Sequence, residues 1–119
     1  MKIAIIGTRA LTIENIGSYI PPCDEIVSGG AKGVDTYAAE YAHQNHIMLT
    51  EFLPKYALYG RAAPIHRNKQ IVDYADKIIA FWDGKSKGTL SVIKYAEKAG
   101  KECKVILCES QKHLPTEGV

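Results

Sequence analysis

The chain has 119 residues, of which 46% are apolar and 24% are charged, and its formal net charge is +2. This length suits one domain with a buried core, and the composition is that of a globular protein rather than a disordered or fibrous one. The slight net charge lacks the basic excess that is typical of proteins that grip a nucleic-acid backbone.

The sequence carries no strong signal for a membrane, a leader or a metal. No stretch approaches the roughly 18 unbroken apolar residues of a membrane span, and no cleavable leader precedes the first strand-like run, so we expect a cytoplasmic protein with no membrane partner. The three cysteines, Cys23, Cys103 and Cys108, form no C-x-x-C pair. They are expected to be reduced and mainly structural, with no metal site and no required cofactor.

Short apolar runs alternate with segments of helical character along the chain. Strands are predicted at residues 3–6, 25–28, 47–53, 77–82 and 104–108, and helices at 34–45, 65–75 and 89–99, with a weaker helix at 13–20. Residues 54–64 are expected to form a long loop. One domain is predicted over residues 1–110, followed by a polar C-terminal tail at 111–119.

This alternation predicts the fold class. Strands that are separated by helices pair in parallel through right-handed crossovers, which gives an α/β, Rossmann-like three-layer sandwich. We expect a five-stranded parallel sheet in the order 3-2-1-4-5 with helices on both faces. Ligands bind such sheets outside the carboxyl ends of the strands, near the point where the strand order reverses.

Three small, polar loops follow predicted strands at this edge. They are Gly7-Thr8-Arg9, Ser28-Gly29-Gly30-Ala31-Lys32-Gly33 and Asp83-Gly84-Lys85-Ser86-Lys87-Gly88-Thr89. Glycines before a helix let backbone N–H groups approach an anion, although a single such loop is equally well explained as a tight turn. Three loops on one edge favour a phosphate site. Neither the dinucleotide fingerprint nor the Walker A loop fits them.

Several other side chains near this edge are open to two interpretations. Arg9 directly follows a buried strand and could clamp phosphate or form a surface ion pair. Asp83 is either a turn cap or an acceptor for a ribose hydroxyl or water. Trp82 could stack on a base, although packing in the core is favoured. Tyr56 and Tyr59, in the long loop, could cover a ligand.

Taken together, the motifs resemble the SLOG superfamily. The resemblance rests on Gly7-Thr8-Arg9, on the stretch from Ser28 to Asp35, on Arg67-Asn68 and on the stretch from Trp82 to Thr89, and it spans Met1 to about Leu107. This superfamily unites the Rossmann-like domain of the DNA-processing protein DprA (Smf) with the LOG-type, lysine decarboxylase-like phosphoribohydrolases. The chain looks most similar to the DprA branch and its stand-alone relatives of the YspA type.

The resemblance implies a domain that binds a nucleotide or a nucleotide-derived signal, and it implies a homo-oligomer, since SLOG relatives are commonly dimers. The matching ligand or phosphate-binding positions are Gly7, Thr8, Arg9, Ser28, Gly29, Gly30, Gly33, Asp35, Arg67, Asn68, Asp83, Ser86, Gly88 and Thr89. Gly84 joins this set from the third loop. The predicted function is therefore a sensor or binding module at the carboxyl edge of the sheet.

Two departures from the superfamily leave alternatives open. LOG enzymes carry P-G-G-x-G-T-x-x-E, and the position of their catalytic glutamate is Val92 here, which cannot assist a ribosyl transition state of oxocarbenium character. An N-glycosidase or phosphoribohydrolase-like enzyme remains an alternative, with Asp35, Asp83, Arg67 and His66 as candidate catalytic residues. DprA binds single-stranded DNA through a basic surface, and the slight net charge makes nucleic acid a less favoured partner.

Overall fold

The structure, a computed structural model, describes residues 1–9, 11–30 and 33–108. Ala31 and Lys32 of the second loop and the predicted tail at residues 111–119 lie outside this part. The strands are β1 (Lys2–Gly7), β2 (Glu25–Ser28), β3 (Met48–Glu51), β4 (Lys77–Trp82) and β5 (Glu102–Leu107), and the helices are α1 (Val34–Gln44), α2 (Tyr56–Tyr59), α3 (Ala63–Tyr74) and α4 (Lys87–Lys98). Two 3₁₀ turns span Ile16–Tyr19 and Gly60–Ala62.

The five strands form one parallel sheet in the order β3-β2-β1-β4-β5. This arrangement confirms the predicted α/β, Rossmann-like fold and its strand order. The central strand is β1, in which Ile3 lies opposite Ile26 on one side and Lys77 on the other. The strand order reverses between β1 and β4, so the edge at which a ligand is expected lies where these two strands end.

Side chains of β1 alternate between two cores. Ile3 and Ile5 pack into one core with α1 and the 3₁₀ turn at Ile16–Tyr19. Ala4 and Ile6 pack into the second core with α3 and α4. Because helices cover both faces, both faces of the central strand are apolar, which explains the unbroken run of apolar residues in its sequence.

Two connections differ from the prediction. The weak helix expected at residues 13–20 is only the 3₁₀ turn, since Asn15 before it takes a left-handed conformation and Pro21 and Pro22 follow closely. The segment at residues 54–64 is not a plain loop, because it holds α2, the second 3₁₀ turn and the start of α3. Pro64 is accommodated in the first turn of α3, where its missing N–H has no intrahelical partner to lose.

Both ends of α4 are fixed by local chemistry. Ser86 is the N-cap, and its Oγ accepts a hydrogen bond from the Thr89 backbone N–H at 3.4 Å. Gly100 ends the helix with φ at 74°, and the backbone N–H of Lys101 donates to the Ala96 carbonyl, as in a Schellman motif. These ends hold the first turn of α4 at the carboxyl edge of the sheet. Within the described ranges, no helix is long and apolar enough to cross a membrane.

Candidate functional site

A cleft of about 410 Å³ lies at the carboxyl edge of the sheet, between the first halves of α3 and α4. Its floor is formed by the end of β1 and by the start of the loop after β2. It lies on the α3 and α4 side of the sheet, next to the point where the strand order reverses. The residues that line it are Ile6, Gly7, Arg9, Gly29, Gly30, Asp35, Leu53, Pro54, Tyr56, Pro64, Arg67, Asn68, Ile71, Ser86, Gly88, Thr89 and Val92.

Most of the predicted ligand residues meet in this cleft. Those that line it are Gly7, Arg9, Gly29, Gly30, Asp35, Arg67, Asn68, Ser86, Gly88 and Thr89. Those that do not line it are Thr8, Ser28, Gly33, Asp83 and Gly84, together with the candidate catalytic residue His66. The second set lies in the same loops and helices as the lining residues, but outside the lining itself.

Asp83 acts as the cap of the loop after β4. Its Oδ1 accepts hydrogen bonds from the backbone N–H groups of Ser86 and Lys85, both at 2.8 Å. The bond from Ser86 and, to a lesser extent, the bond from Lys85 hold the pKa of the Asp83 carboxyl below its ordinary value. Of the two interpretations of Asp83, the structure shows the turn cap.

Thr8 links the first and third loops. Its Oγ1 lies 3.4 Å from Asp83 Oδ1 and 3.5 Å from Thr89 Oγ1, distances that correspond to weak hydrogen bonds. Its backbone N–H also donates to the Phe81 carbonyl at 3.0 Å. Thr8 therefore fixes the first turn of α4 against the end of β1 without reaching the cleft.

Two glycines allow the loops to approach one another closely. A Cβ on Gly29 would lie 2.5 Å from Arg67 Nη1 and 3.1 Å from Asp35 Oδ2. A Cβ on Gly33, where φ is 80°, would collide with the Arg9 carbonyl oxygen. Glycine at these positions brings a guanidinium and a carboxylate against the second loop, and joins that loop to the first.

Arg67 is an anchor within the site. Its Nη1 donates to the Gly29 carbonyl at 2.8 Å and its Nε donates to Asn68 Oδ1 at 2.8 Å, with a longer Nη1 contact of 3.5 Å to the Phe52 carbonyl. Burial lowers the pKa of Arg67, whereas the charge of Asp35 raises it. A guanidinium stays protonated in proteins, so Arg67 places a fixed positive charge in the cleft and ties α3 to the second loop.

The charged side chains of the cleft differ in exposure. Arg9 is exposed on the first loop, whereas Arg67 is half-buried and bonded. Asp35, in the first turn of α1, is only 8% exposed. Two guanidinium groups and one carboxylate therefore line the cleft, which makes its lining positive overall.

One wall of the cleft is apolar, and most of its residues were not predicted from the sequence to contact a ligand. Leu53, Pro54, Tyr56 and Pro64 line it, and of these only Tyr56 was singled out in advance. Leu53 and Tyr56 are 57% and 60% exposed. Two prolines that bracket a tyrosine-rich segment were the available signal, but a proline alone does not show which side of a chain faces a cavity.

Other aromatic and titratable candidates have structural contacts. The Tyr59 ring stacks on the His66 ring with centroids 4.0 Å apart, which joins α2 to α3 outside the cleft. The half-buried Trp82 donates from Nε1 to the Ser86 carbonyl at 3.0 Å and so braces the third loop. Trp82 and Tyr59 do not line the cleft.

Val92 is the residue that the predicted resemblance aligns with the catalytic glutamate of LOG enzymes. It is 3% exposed, packs into the second core and lines the cleft from α4. Val92 thus presents an apolar side chain to the cleft and no carboxylate. Among the proposed replacements, Asp35 and Arg67 line the cleft, and Asp83 and His66 do not.

Comparison with known proteins gives no match: no family model, no curated protein and no solved structure matches this chain. The SLOG resemblance therefore stays a prediction that rests on the motifs. In the part of the chain that the structure describes, no group of three or more His, Cys, Asp or Glu side chains is placed to hold a metal ion.

Proposed function

We propose that this protein binds a nucleotide or a nucleotide-derived ligand through its phosphate, as a binding or sensor module of the SLOG type. The observation that carries the proposal is the convergence of three separate loops on one cleft. Arg9, Arg67 and the backbone at Gly29 lie in it together with the start of α4. These are the groups that recognise phosphate in proteins.

The start of α4 is the proposed phosphate subsite. The first N–H groups of a helix lack intrahelical partners, and the helix dipole favours an anion there. Gly88 lies in this first turn, and a Cβ on it would meet nothing within 4 Å, so the backbone is open on that side. Arg9 is exposed at the same cleft and can turn onto a bound phosphate, while Arg67 supplies a fixed charge.

Binding without turnover is the form of the proposal that the cleft supports best. Val92 gives no carboxylate where LOG enzymes place theirs, and the Asp83 carboxylate caps its own loop. Asp35 lines the cleft near Arg67, which suits a carboxylate that accepts hydrogen bonds from ribose hydroxyls. Hydrolysis by Asp35 is the competing hypothesis that the experiment must separate.

The test is a thermal-shift screen against nucleoside mono-, di- and triphosphates, NAD, ADP-ribose and cyclic nucleotides, followed by chromatography of each hit after incubation. A ligand at about 100 times its Kd adds roughly 2.7 kcal/mol to the free energy of unfolding. For a domain of this size the expected rise in Tm is on the order of 10 °C. The ligand should be recovered intact.

The matched variants are Arg9→Ala and Arg61→Ala, which remove the same charge. Arg9 lines the cleft, whereas Arg61 is exposed on the second 3₁₀ turn and does not line it. We expect Arg9→Ala to abolish the thermal shift and Arg61→Ala to keep it. No shift with any compound would refute the proposal, and release of free base with sugar phosphate would make the protein an enzyme. Salt-sensitive binding of a single-stranded oligonucleotide in place of nucleotides would favour the nucleic-acid alternative.

A further inference from the structure

The apolar wall of the cleft is more exposed than a structural role requires. Leu53 and Tyr56 leave more than half of their surface open to solvent, and both line the cleft next to Pro54. A single exposed leucine is ordinary, but a leucine, a proline and a tyrosine that lie within four consecutive residues and line the same cleft form an apolar surface. Such a surface inside a binding cleft is explained by the part of a ligand that covers it.

The wall is held in place rather than carried on an open loop. The backbone N–H groups of Leu58 and Tyr59 both donate to the Lys55 carbonyl at 3.0 Å, which closes α2 behind Tyr56. The stack of Tyr59 on His66 fixes α2 against α3. Tyr56 is therefore presented before any ligand arrives, and a tyrosine side chain loses little entropy on binding because it has few rotatable bonds.

The wall is also next to charged and polar groups of the phosphate site. Tyr56 and Arg67 line the same cleft. A Cβ on Gly30 would lie 2.5 Å from Leu53 Cδ2, which places the leucine over the second loop. A ligand whose phosphate binds in the cleft thus has an aromatic and aliphatic surface within reach.

Asn68 adds a directional group to the same cleft. Its Oδ1 accepts from Arg67 Nε at 2.8 Å, so the amide nitrogen must face the other way. Asn68 lines the cleft one helical turn from Pro64 of the apolar wall. An apolar platform with an edge donor suits a flat ring that carries acceptors on its rim.

We propose that the wall formed by Leu53, Pro54 and Tyr56 is a nucleobase subsite, with the base stacked on Tyr56, so that the ligand is a nucleoside phosphate and not a sugar phosphate. This inference rests on the proposed function, because it places the second half of the same ligand. Stacking of a base on an aromatic side chain is sequence-tolerant and is worth about tenfold or more in affinity.

The test is isothermal titration calorimetry of the whole chain with the four ribonucleoside 5′-monophosphates and with ribose 5-phosphate. Tyr56→Ala should weaken the tightest monophosphate by about tenfold and leave ribose 5-phosphate unchanged. Tyr56→Phe should bind like the wild type, since the ring is kept. Leu58→Ala is the matched control, because Leu58 is 67% exposed on the same helix but does not line the cleft.

The outcomes separate this inference from the proposed function. If ribose 5-phosphate binds as tightly as every monophosphate, or if Tyr56→Ala changes neither affinity, the base subsite is overturned while the phosphate cleft stands. An equal loss for both compounds in Tyr56→Ala also overturns it, because the tyrosine then acts on the phosphate end. If the wild type binds neither class, the base subsite is overturned, and the proposed function fails as well only if no compound of the thermal-shift screen raises the Tm.

Discussion

At the scale of single residues, the absence of a side chain at Gly29 lets Arg67 bond the second loop. We expect Gly29→Ala to destabilise the fold by about 1–3 kcal/mol, since the new methyl group would force Arg67 away from the Gly29 carbonyl. It should also weaken ligand binding. Denaturant unfolding of the variant measures the first effect.

Gly88→Ala is the control for Gly29→Ala. A Cβ on Gly88 meets nothing within 4 Å, and alanine is favoured over glycine in a helix by up to about 1 kcal/mol. The two alanine substitutions should therefore shift the denaturant midpoint in opposite directions. A Gly29→Ala protein as stable as the wild type would show that Arg67 relaxes without loss.

The geometry of Arg67 predicts that lysine cannot replace it. Lysine keeps the charge, but its three donors sit on one nitrogen, whereas arginine reaches the Gly29 carbonyl and Asn68 Oδ1 from two separate nitrogens of a planar fork. Arg67→Lys is expected to lower the free energy of unfolding by about 1–2 kcal/mol. Arg61→Lys, on the exposed 3₁₀ turn, should leave it unchanged. Equal unfolding curves for the two variants would contradict the anchoring role.

The sequence could place the candidate site but not the direction of each side chain in it. Ends of parallel strands meet at one edge, so the three loops were predictable as neighbours. Whether a carboxylate after a strand faces a cavity or its own turn depends on backbone torsions, and Asp83 does the second. His66 was equally ambiguous, because its partner Tyr59 lies on a helix that the sequence did not reveal.

At the scale of elements, the end of α3 depends on a lysine from another part of the chain. Lys101 Nζ donates to the carbonyls of Val72, Asp73 and Ala75, which are left without intrahelical donors where the helix ends. We expect Lys101→Met to destabilise the protein by about 1–2 kcal/mol, since it removes a charged donor from these carbonyls and from the negative end of the helix dipole.

Lys94→Met is the matched substitution for this test. Lys94 is exposed in the middle of α4, so the same change of charge and shape should alter stability by less than about 0.5 kcal/mol. Thermal or denaturant unfolding of the two variants provides the comparison. Similar losses in both would mean that charge, and not the cap, explains the effect.

Strands and helices were predictable where the apolar pattern is long enough or where a residue such as glycine marks the end. β2 and β4 have the predicted bounds, and α4 ends before a glycine that takes a positive φ, as expected. α2 was missed because four residues carry too little periodicity to distinguish a helical turn from a loop. The 3₁₀ turn at Ile16–Tyr19 has the apolar spacing of a helix but is stopped by its flanking residues.

At the scale of the whole molecule, acid should destabilise the fold by protonating carboxylates that accept hydrogen bonds. These carboxylates lie at the amino ends and at the carboxyl ends of the strands. Glu25 accepts from Thr50 Oγ1 and Tyr74 Oη, both at 2.6 Å, and these bonds lower its pKa below 4.5. Backbone N–H donors likewise lower the pKa values of Asp76 and Asp83 below 3.8. A lowered folded-state pKa adds stability above the unfolded value, and this stability is lost as the pH falls through the folded value.

The free energy of unfolding should therefore be steady near neutral pH and fall as the pH drops below about 4.5. Glu25→Gln should make that fall shallower and cost stability at neutral pH, because glutamine forms weaker hydrogen bonds with Thr50 and Tyr74 than an ionised carboxylate does. Glu97→Gln, exposed on α4, should leave the slope as in the wild type. Unfolding curves measured from pH 7 to pH 3 give the slopes, and identical slopes for all three proteins would contradict the role of Glu25.

The position of β1 at the centre of the sheet has a consequence for synthesis of the chain. β1 pairs with β2 nearby in sequence, but Ile3 also pairs with Lys77 on β4, so its second edge has no partner until most of the chain has been made. Contacts between such distant residues form slowly, because a long loop must close first. On the ribosome, Arg9 and Gly29 emerge well before Ser86 and Thr89, so a nascent chain cannot hold the proposed ligand until α4 has been translated.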